Sequence, residues 1–487
     1  MCSSIIRSYM PATRRLALWP ARYLSASKVG LPQATAAQMR STINGRPAPF
    51  ATSSRQHSDI HFSGMHDAAV DATKLVDTNR TVQVHWDDGH TSNYDFTWLR
   101  VNCPSFLHES GQRTVFPGDV DPELRPIEIS TPGSRVSVSW SDGHVSEYKT
   151  NWLRAHDNSP AAVHQRCHRC WPAPLCSWDA IPKVDGKTYM EEEGAAGVYG
   201  ALRKINRAGA CILENVGTEE GTVLDIARRI APISHDTLYG QSFDVTVQAN
   251  PRNIAYSSEG LRLHMDLVYF ESPPGLQFLH CVQFDDSIKG GESIFLDAFA
   301  AADYFRQRHP DMFEVLCRVP ATFSKVRPAV PNAHGEARNL AANAPAHMEY
   351  QRPHFQVNAD GDILAVTWAP MFEGVLMCSA QDVGPYHEAY RKFQQLIEEG
   401  QYAKDHTVRT RLEPGQCIVF NNRRLLHGRE AMSGNESSAR LLQGCYVNID
   451  DTMSRLRSLH ADEPPSGDPV KDQLTRAGNG SLELFRY

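Results

Sequence analysis

The sequence has no charge-free run of about 20 apolar residues, the length a membrane-spanning helix requires, so a soluble body is expected. It has no surplus of positive charge either. Forty-nine Lys and Arg against 56 Asp and Glu leave a net charge of −7. Without a basic field, neither nucleic acid nor acidic lipid is an expected partner. Cysteines are few and odd in number, 11 spread over 487 residues. That excludes the dense disulfide framework of small secreted domains and points to thiols or metal ligands in a reducing compartment.

Acidic residues are missing altogether from the first 58 positions, which carry Arg7, Arg14, Arg15, Arg22, Lys28, Arg40, Arg46 and Arg55 among many Ser, Ala and Thr. An Arg-rich, Ser-rich and acid-poor segment has the composition of a mitochondrial transit peptide, with a plain disordered tail as the alternative. Residues 1–58 are therefore expected to be a leader to the matrix; without that function the chain would be cytoplasmic. Residues 461–487 are polar and hold Pro464, Pro465, Gly467 and Gly478, a composition that disfavours a packed core.

Between these ends lies an internal repeat. Val82-Gln-Val-His-Trp86-Asp-Asp-Gly89-His90 and Tyr94, then Trp98-Leu99-Arg100, reappear as Val136-Ser-Val-Ser-Trp140-Ser-Asp-Gly143-His144 and Tyr148, then Trp152-Leu153-Arg154. Each copy reads as an alternating strand, an Asp-Gly turn and a second strand, a β-hairpin. Two hairpins can bury their aromatic faces on each other, which predicts a small β domain over 80–158. A Cys/His/Trp-rich linker, 163–178, follows.

Beyond the linker, helical patterns over 198–208, 222–231, 300–308 and 383–399 mix with short apolar strands over 209–213, 275–281, 293–296, 363–368 and 416–420. Many short strands with a few covering helices predict a mostly β architecture, a sandwich or jelly roll rather than a βαβ sheet.

The chemistry-bearing segment is Leu263-His264-Met265-Asp266. Residues two apart in a strand share a face, so an imidazole and a carboxylate can meet one metal. His427, in Arg424-Leu-Leu-His427-Gly428-Arg429, follows an apolar strand that can return it beside the first pair. Two His and one carboxylate form the facial triad of non-haem Fe(II) oxygenases, which leaves three positions open for a keto acid and O₂. Alone, His-x-Asp recurs by chance. Arg440, opening the run Leu441–Leu442, adds a guanidinium suited to a carboxylate, and Ser293, after Gly290-Gly291-Glu292, adds a hydroxyl.

Over about 163–460 the chain resembles the taurine dioxygenase-like oxygenases, and within them the γ-butyrobetaine and trimethyllysine dioxygenase group. The matching stretches are Tyr239-Gly240, Asn253-Ile-Ala-Tyr256, His264-Met-Asp266, Pro274-Gly275-Leu-Gln-Phe-Leu-His280-Cys281, Gly290-Gly-Glu-Ser293, Leu296-Asp-Ala-Phe299, 421–430, Arg440 and Met453-Ser-Arg-Leu-Arg457. The doubled hairpin resembles that group's small N-terminal domain. The resemblance implies a double-stranded β-helix core in a 180–460 oxygenase domain. It also implies Fe(II) on His264, Asp266 and His427, and 2-oxoglutarate on Arg440 and Ser293. Ascorbate would be a supporting reductant, and a homodimer is implied. In such enzymes 2-oxoglutarate and O₂ yield succinate and CO₂ while a substrate C–H is hydroxylated.

The group's trimethylammonium cage is matched by Tyr239 and Tyr256, and Phe243 stands where Trp is typical. Leu267 occupies a position that is Tyr in some members, with Tyr269 nearby in sequence. Asn253 matches an Asn associated with the substrate carboxylate, whereas a second Asn region reads Val366-Thr-Trp368-Ala369-Pro370 and has no amide. γ-Butyrobetaine, hydroxylated to L-carnitine, is the leading substrate; trimethyllysine or another betaine is the alternative. A non-catalytic relative and a hydrolytic zinc enzyme also remain open. Of a structural zinc site found in relatives only Cys103 and His144 match, and two ligands cannot close a tetrahedron. His164, Cys167, His168, Cys170 and Cys176 offer further ligand-like spacing.

Overall fold

The structure is a computed structural model that describes residues 70–76, 80–159, 177–191, 195–234, 238–246, 257–327, 345–358, 361, 363–434 and 439–462. The 1–58 leader, the ligand-like cysteines and histidines of the 163–178 linker, Asn253, Tyr256 and the chain from 463 onward lie outside the described residues.

Each repeat folds as a three-stranded antiparallel sheet rather than a bare hairpin. The first comprises Val70–Val76, Thr81–Trp86 and Thr91–Asp95, the second Pro126–Ser130, Arg135–Trp140 and Val145–Lys149. The Asp-Gly turns form as expected, with Gly89 and Gly143 at φ of 79° and 86°, a left-handed conformation that glycine adopts without steric cost. The Trp-Leu-Arg segments belong to short helices, Phe96–Val101 and Thr150–Ala155. The copies clasp each other reciprocally. The Tyr94 hydroxyl donates to the Leu153 carbonyl at 2.7 Å, and the Tyr148 hydroxyl donates to that of Leu99 at 2.6 Å. Arg100 pairs with Asp142 as Arg154 pairs with Asp88. Trp86, Tyr94, Trp140, Tyr148 and Leu153 share one buried cluster.

Two larger sheets carry the rest. One has six strands in the order Lys183–Asp185, Ala210–Glu214, Cys417–Asn421, Leu276–Phe284, Arg440–Val447 and Phe243–Val245. The other has four: Leu261–His264, Leu425–Arg429, Ser293–Asp297 and Val408–Thr410. Their facing sides form one apolar cluster, in which Phe295 meets Phe420 edge-on at 5.3 Å. Burying each such ring is worth about 1.5–3 kcal/mol.

Helices Ala196–Ala208, Thr222–Ile230 and Ile449–Asp462 cover the outer side of the larger sheet through Leu202, Ile226 and Leu456. Helices Ala298–Arg308, Pro310–Arg318 and Ala380–Glu398 build the other large cluster, which includes Leu263, Met265 and Leu426. The protein is thus of mixed strand and helix content, with paired sheets at its centre. Among the described residues no helix is long and apolar enough to cross a membrane.

Candidate metal centre

Leu261–His264 runs antiparallel to Leu425–Arg429, and their register sets His264 directly opposite His427. The two rings lie 4.3 Å apart. Cys417–Asn421 belongs to one sheet and Leu425–Arg429 to the other, so the turn at 422–424 carries the chain across the sandwich and delivers His427. Arg424 anchors that turn. Its buried guanidinium reaches Asp297 at 2.7 Å, and Asp297 in turn caps the helix Ala298–Arg308.

Asp266 arrives differently from the pleat expected of a continuous strand. The strand ends at His264, and Asp266 reaches in from the following turn. The Met265 N–H donates to the Trp368 carbonyl at 2.8 Å. The Asn422 amide accepts the Asp266 N–H at 2.9 Å and donates to the Asp266 carbonyl at 3.0 Å. Leu267 follows at φ of 58°, a left-handed conformation that costs a side-chain-bearing residue about 1–3 kcal/mol. Leu267 is buried in the helical-side cluster that also holds Tyr269.

Asp266 Oδ1 lies 3.5 Å from His264 Nε2, and Oδ2 lies 3.6 Å from His427 Nε2. One ligand atom from each of the three falls within 4.8 Å of the others. His264 Nδ1 lies 2.8 Å from the Arg262 carbonyl. A carbonyl only accepts, so Nδ1 is the donor in that bond and Nε2 is the ring nitrogen that faces Asp266. Burial opposes ionisation of Asp266, yet hydrogen bonding and charge from His264 and His427 outweigh it and hold the carboxyl well below its ordinary range. Burial, then the charge of His264, lowers His427 and favours its neutral form. An ionised carboxylate and two imidazoles are the donor set that suits Fe(II) with an open half-sphere. Among the described residues no other three His, Cys, Asp or Glu converge in this way.

Arg440 opens the strand Arg440–Val447 and is buried. Among the described residues its Nε and Nη1 have no hydrogen-bond partner, and Nη2 makes a long 3.5 Å bond to the Gly291 carbonyl. Burial, then the charges of Arg429 and Arg411, pull its pKa down to about 10. A desolvated guanidinium with idle donors calls for a carboxylate, and a dicarboxylate such as 2-oxoglutarate fits. Ser293 is buried on the strand face it shares with Phe295, in register with Arg429 and Thr410.

Aromatic rings extend from Asp266. The Tyr446 hydroxyl donates to Asp266 Oδ2 at 2.7 Å. Tyr446 stacks on Phe243 at 5.1 Å, Phe243 adjoins Tyr239 at 6.3 Å, and the Tyr239 and Tyr269 hydroxyls approach to 3.4 Å. Gly444 makes room for this wall, since a Cβ there would fall 2.3 Å from the Phe243 ring. Sequence reasoning misses Asn422 and Tyr446. Tyr446 had a usable signal: with Arg440, Leu442 and Gly444 it shares one face of an alternating strand. Asn422 had none, because its contact with Asp266 spans the two sheets.

Cys103 Sγ and His144 Nε2 stand 3.4 Å apart, and Phe106 stacks on the imidazole at 4.7 Å. The equivalent pair in the other repeat is Asp157 with His90 at 2.5 Å. Among the described residues Cys103 and His144 belong to no group of three metal donors.

The sequence pattern of the taurine catabolism dioxygenase TauD, TfdA family matches residues 173–446, and that of a gamma-butyrobetaine hydroxylase-like N-terminal domain matches 73–167. A gamma-butyrobetaine dioxygenase of Pseudomonas sp. (strain AK-1) is 32% identical over 390 residues, covering 77% of this chain and 92% of the relative. Dioxygenase str8 of Strobilurus tenacellus is 31% identical, covering 75% and 85%. A trimethyllysine dioxygenase of Meyerozyma guilliermondii is 25% identical, covering 82% and 98%. With more than half its length matched and a relative above 30% identity aligned almost end to end, this chain is a dioxygenase belonging to the taurine catabolism dioxygenase TauD, TfdA family.

Proposed function

We propose that this enzyme hydroxylates a small trimethylammonium acid in a reaction dependent on Fe(II) and 2-oxoglutarate. γ-Butyrobetaine, giving L-carnitine, is the leading substrate, and trimethyllysine or a related betaine is the alternative. The observation that carries the reaction class is the facing pair His264 and His427 with Asp266 between their Nε2 atoms. Bound there, iron would supply the redox chemistry that couples 2-oxoglutarate decarboxylation to C–H hydroxylation.

The chain's residues divide the remaining work. Arg440 holds the distal carboxylate of 2-oxoglutarate, with the Ser293 hydroxyl as a second donor. Tyr239 and Phe243 present ring faces to a quaternary ammonium, each contact worth about 0.5–2 kcal/mol, and Tyr256 is the further cage residue that the resemblance implies. Tyr446 joins this wall and also fixes Asp266. Supporting the substrate class are the aromatic continuity from Asp266 to Tyr239 and relatives named for γ-butyrobetaine and trimethyllysine.

The finer assignments extend this reading. The six- and four-stranded sheets form a double-stranded β-helix, preceded by a small β domain over 80–158. Residues 1–58 direct the protein to mitochondria, ascorbate supports turnover, and the enzyme acts as a homodimer. Cys103 and His144 hold zinc only if the linker thiols join them.

Succinate release tests the proposal with γ-butyrobetaine, trimethyllysine and uncharged isosteres side by side. Turnover should require a trimethylammonium substrate. A clear preference for an uncharged isostere would overturn the cage, and failure to bind Fe(II) would overturn the reaction class.

A further inference from the structure

The strand Ala321–Arg327 pairs antiparallel with Ala346–Arg352. Phe323, Lys325 and Arg327 alternate onto one face, opposite Tyr350, Met348 and Ala346. That face is the inner one: Phe323 is fully buried, and Met348 and Ala346 pack against the large apolar cluster that also holds Tyr239, Phe243 and Phe372. The other face bears exposed Val326 and pairs Ser324 with Glu349. A lysine and an arginine therefore point inward, while the nearest acid across the ladder points away.

Neither cation is idle surface charge. Arg327 Nη1 donates to the Leu238 carbonyl at 2.6 Å, immediately before Tyr239. Lys325 Nζ sits 5.4 Å from the centre of the Phe372 ring, and Phe372 meets Tyr269 edge-on at 5.1 Å. Tyr269 in turn touches Tyr239 and feels the charges of both Asp266 and Arg327. The aromatic wall beginning at the candidate iron ligands thus ends at Lys325. No carboxylate pairs with Lys325 among the described residues; its charged neighbour is Arg327. Burial, then the charge of Arg327, makes the ammonium harder to keep protonated. A half-buried ammonium with an arginine beside it and no counter-ion is stabilised by an incoming anion.

We propose that Lys325, backed by Arg327, is the residue that receives the substrate's carboxylate and so selects a betaine acid over a simple quaternary amine. The inference rests on the proposed trimethylammonium substrate and deepens it. An ammonium is a stronger partner for a carboxylate than a neutral amide, because a charged hydrogen bond is the stronger of the two. The aromatic wall and the Lys325 ammonium would then read opposite ends of one zwitterion.

The test compares γ-butyrobetaine with its carboxamide on the enzyme loaded with Fe(II) and 2-oxoglutarate. Binding is followed by anaerobic calorimetry, and KM and kcat by succinate release. Wild type should prefer the acid. Lys325→Met keeps the stem over Phe372 and should weaken binding of the acid and raise its KM by roughly tenfold or more. Carboxamide binding should stay within about twofold, and Lys325→Arg should restore most of the preference. Unchanged discrimination in Lys325→Met, with wild type still preferring the acid, would overturn the role of Lys325 and leave the proposed function standing. If wild type binds neither compound, the γ-butyrobetaine assignment falls and this inference falls with it. The 2-oxoglutarate affinity of the variant reports folding independently: loss of acid binding at unchanged 2-oxoglutarate affinity supports the assignment, and parallel loss of both contradicts it.

Discussion

The Tyr446 hydroxyl donates to Asp266 Oδ2 at 2.7 Å, from the same strand that begins with Arg440. One strand thereby steadies a candidate iron ligand at one end and supplies the candidate 2-oxoglutarate clamp at the other. Burial, then the neighbouring Asp266 charge, pushes the Tyr446 phenol well above its usual range, so it remains a donor at every relevant pH. Tyr446→Phe keeps the stack on Phe243 and removes only that donor. Loss of such a partner typically costs 10–100-fold in metal affinity, and a fall of about that size is expected by Fe(II) titration, with the circular dichroism spectrum unchanged. Asp266→Ala should abolish succinate formation outright. Wild-type iron affinity in Tyr446→Phe would show that the hydroxyl does not position the carboxylate.

Arg440 makes opposite demands on stability and activity. Among the described residues its Nε and Nη1 are buried without hydrogen-bond partners, and replacing a buried, poorly compensated charge by an apolar side chain is often neutral or stabilising, by about 1–4 kcal/mol. Arg440→Met should therefore unfold at an equal or higher urea concentration than wild type when no 2-oxoglutarate is present. The same variant should raise the KM for 2-oxoglutarate by about 30-fold or more, as expected when one partner of a buried charge pair is lost. Lower stability without ligand would mean that Arg440 serves chiefly as a structural element.

Much of this was legible in the sequence, for physical reasons. The repeat announced itself because Trp86 and Trp140, Tyr94 and Tyr148 recur at fixed offsets on alternating strands, and alternation survives in any β-sheet. His264, Asp266, His427 and Arg440 were legible because few chemistries require that set together. The third strand of each repeat was missed: Val70–Val76 and Pro126–Ser130 lie outside the repeated motif. The turn that places Asp266 was missed too, because the strand ends at His264 under the pull of the Trp368 carbonyl and the Asn422 amide. These partners are distant in sequence, and no local pattern encodes them.

Asn422 carries a prediction of its own. It satisfies both the N–H and the carbonyl of Asp266 and reaches the Pro274 carbonyl at 3.4 Å. Asn422→Leu has similar volume but leaves those backbone groups without side-chain partners. The expected loss is about 1–3 kcal/mol of stability per stranded buried group, with weaker Fe(II) binding as Asp266 loses its orientation. Urea unfolding without metal and iron titration of the folded protein separate the two effects. Unchanged stability would show that solvent replaces the amide and that the clamp is dispensable.

Stability should depend on pH through two groups, the buried His354 and the half-buried Glu373. His354 is fully buried, donating from Nδ1 to the Thr367 carbonyl and accepting the Tyr386 hydroxyl at Nε2, both at 2.8 Å. Burial lowers its pKa from 6.5 to about 4. Below pH 6.5 the unfolded chain binds a proton that the folded chain refuses, so this group's contribution is full above 6.5 and is lost as pH falls towards 4. Glu373, which accepts the Tyr390 hydroxyl at 2.9 Å, is raised by burial from 4.5 to about 7. The folded state retains its proton where the unfolded state has lost it, so stability falls as pH rises from 4.5 through 7. Between about 4.5 and 6.5 the two slopes, each up to about 1.4 kcal/mol per pH unit, oppose each other. Glu373→Gln removes one of them, so its stability should fall on acidification more steeply than that of wild type. His354→Gln leaves the other, and its stability should fall less on acidification than that of wild type over the same interval. Urea unfolding at pH 5 and 6.5 measures both slopes. If the two variants and wild type share one slope, the opposition does not exist, and both His354 and Glu373 titrate in the folded protein as they do in water.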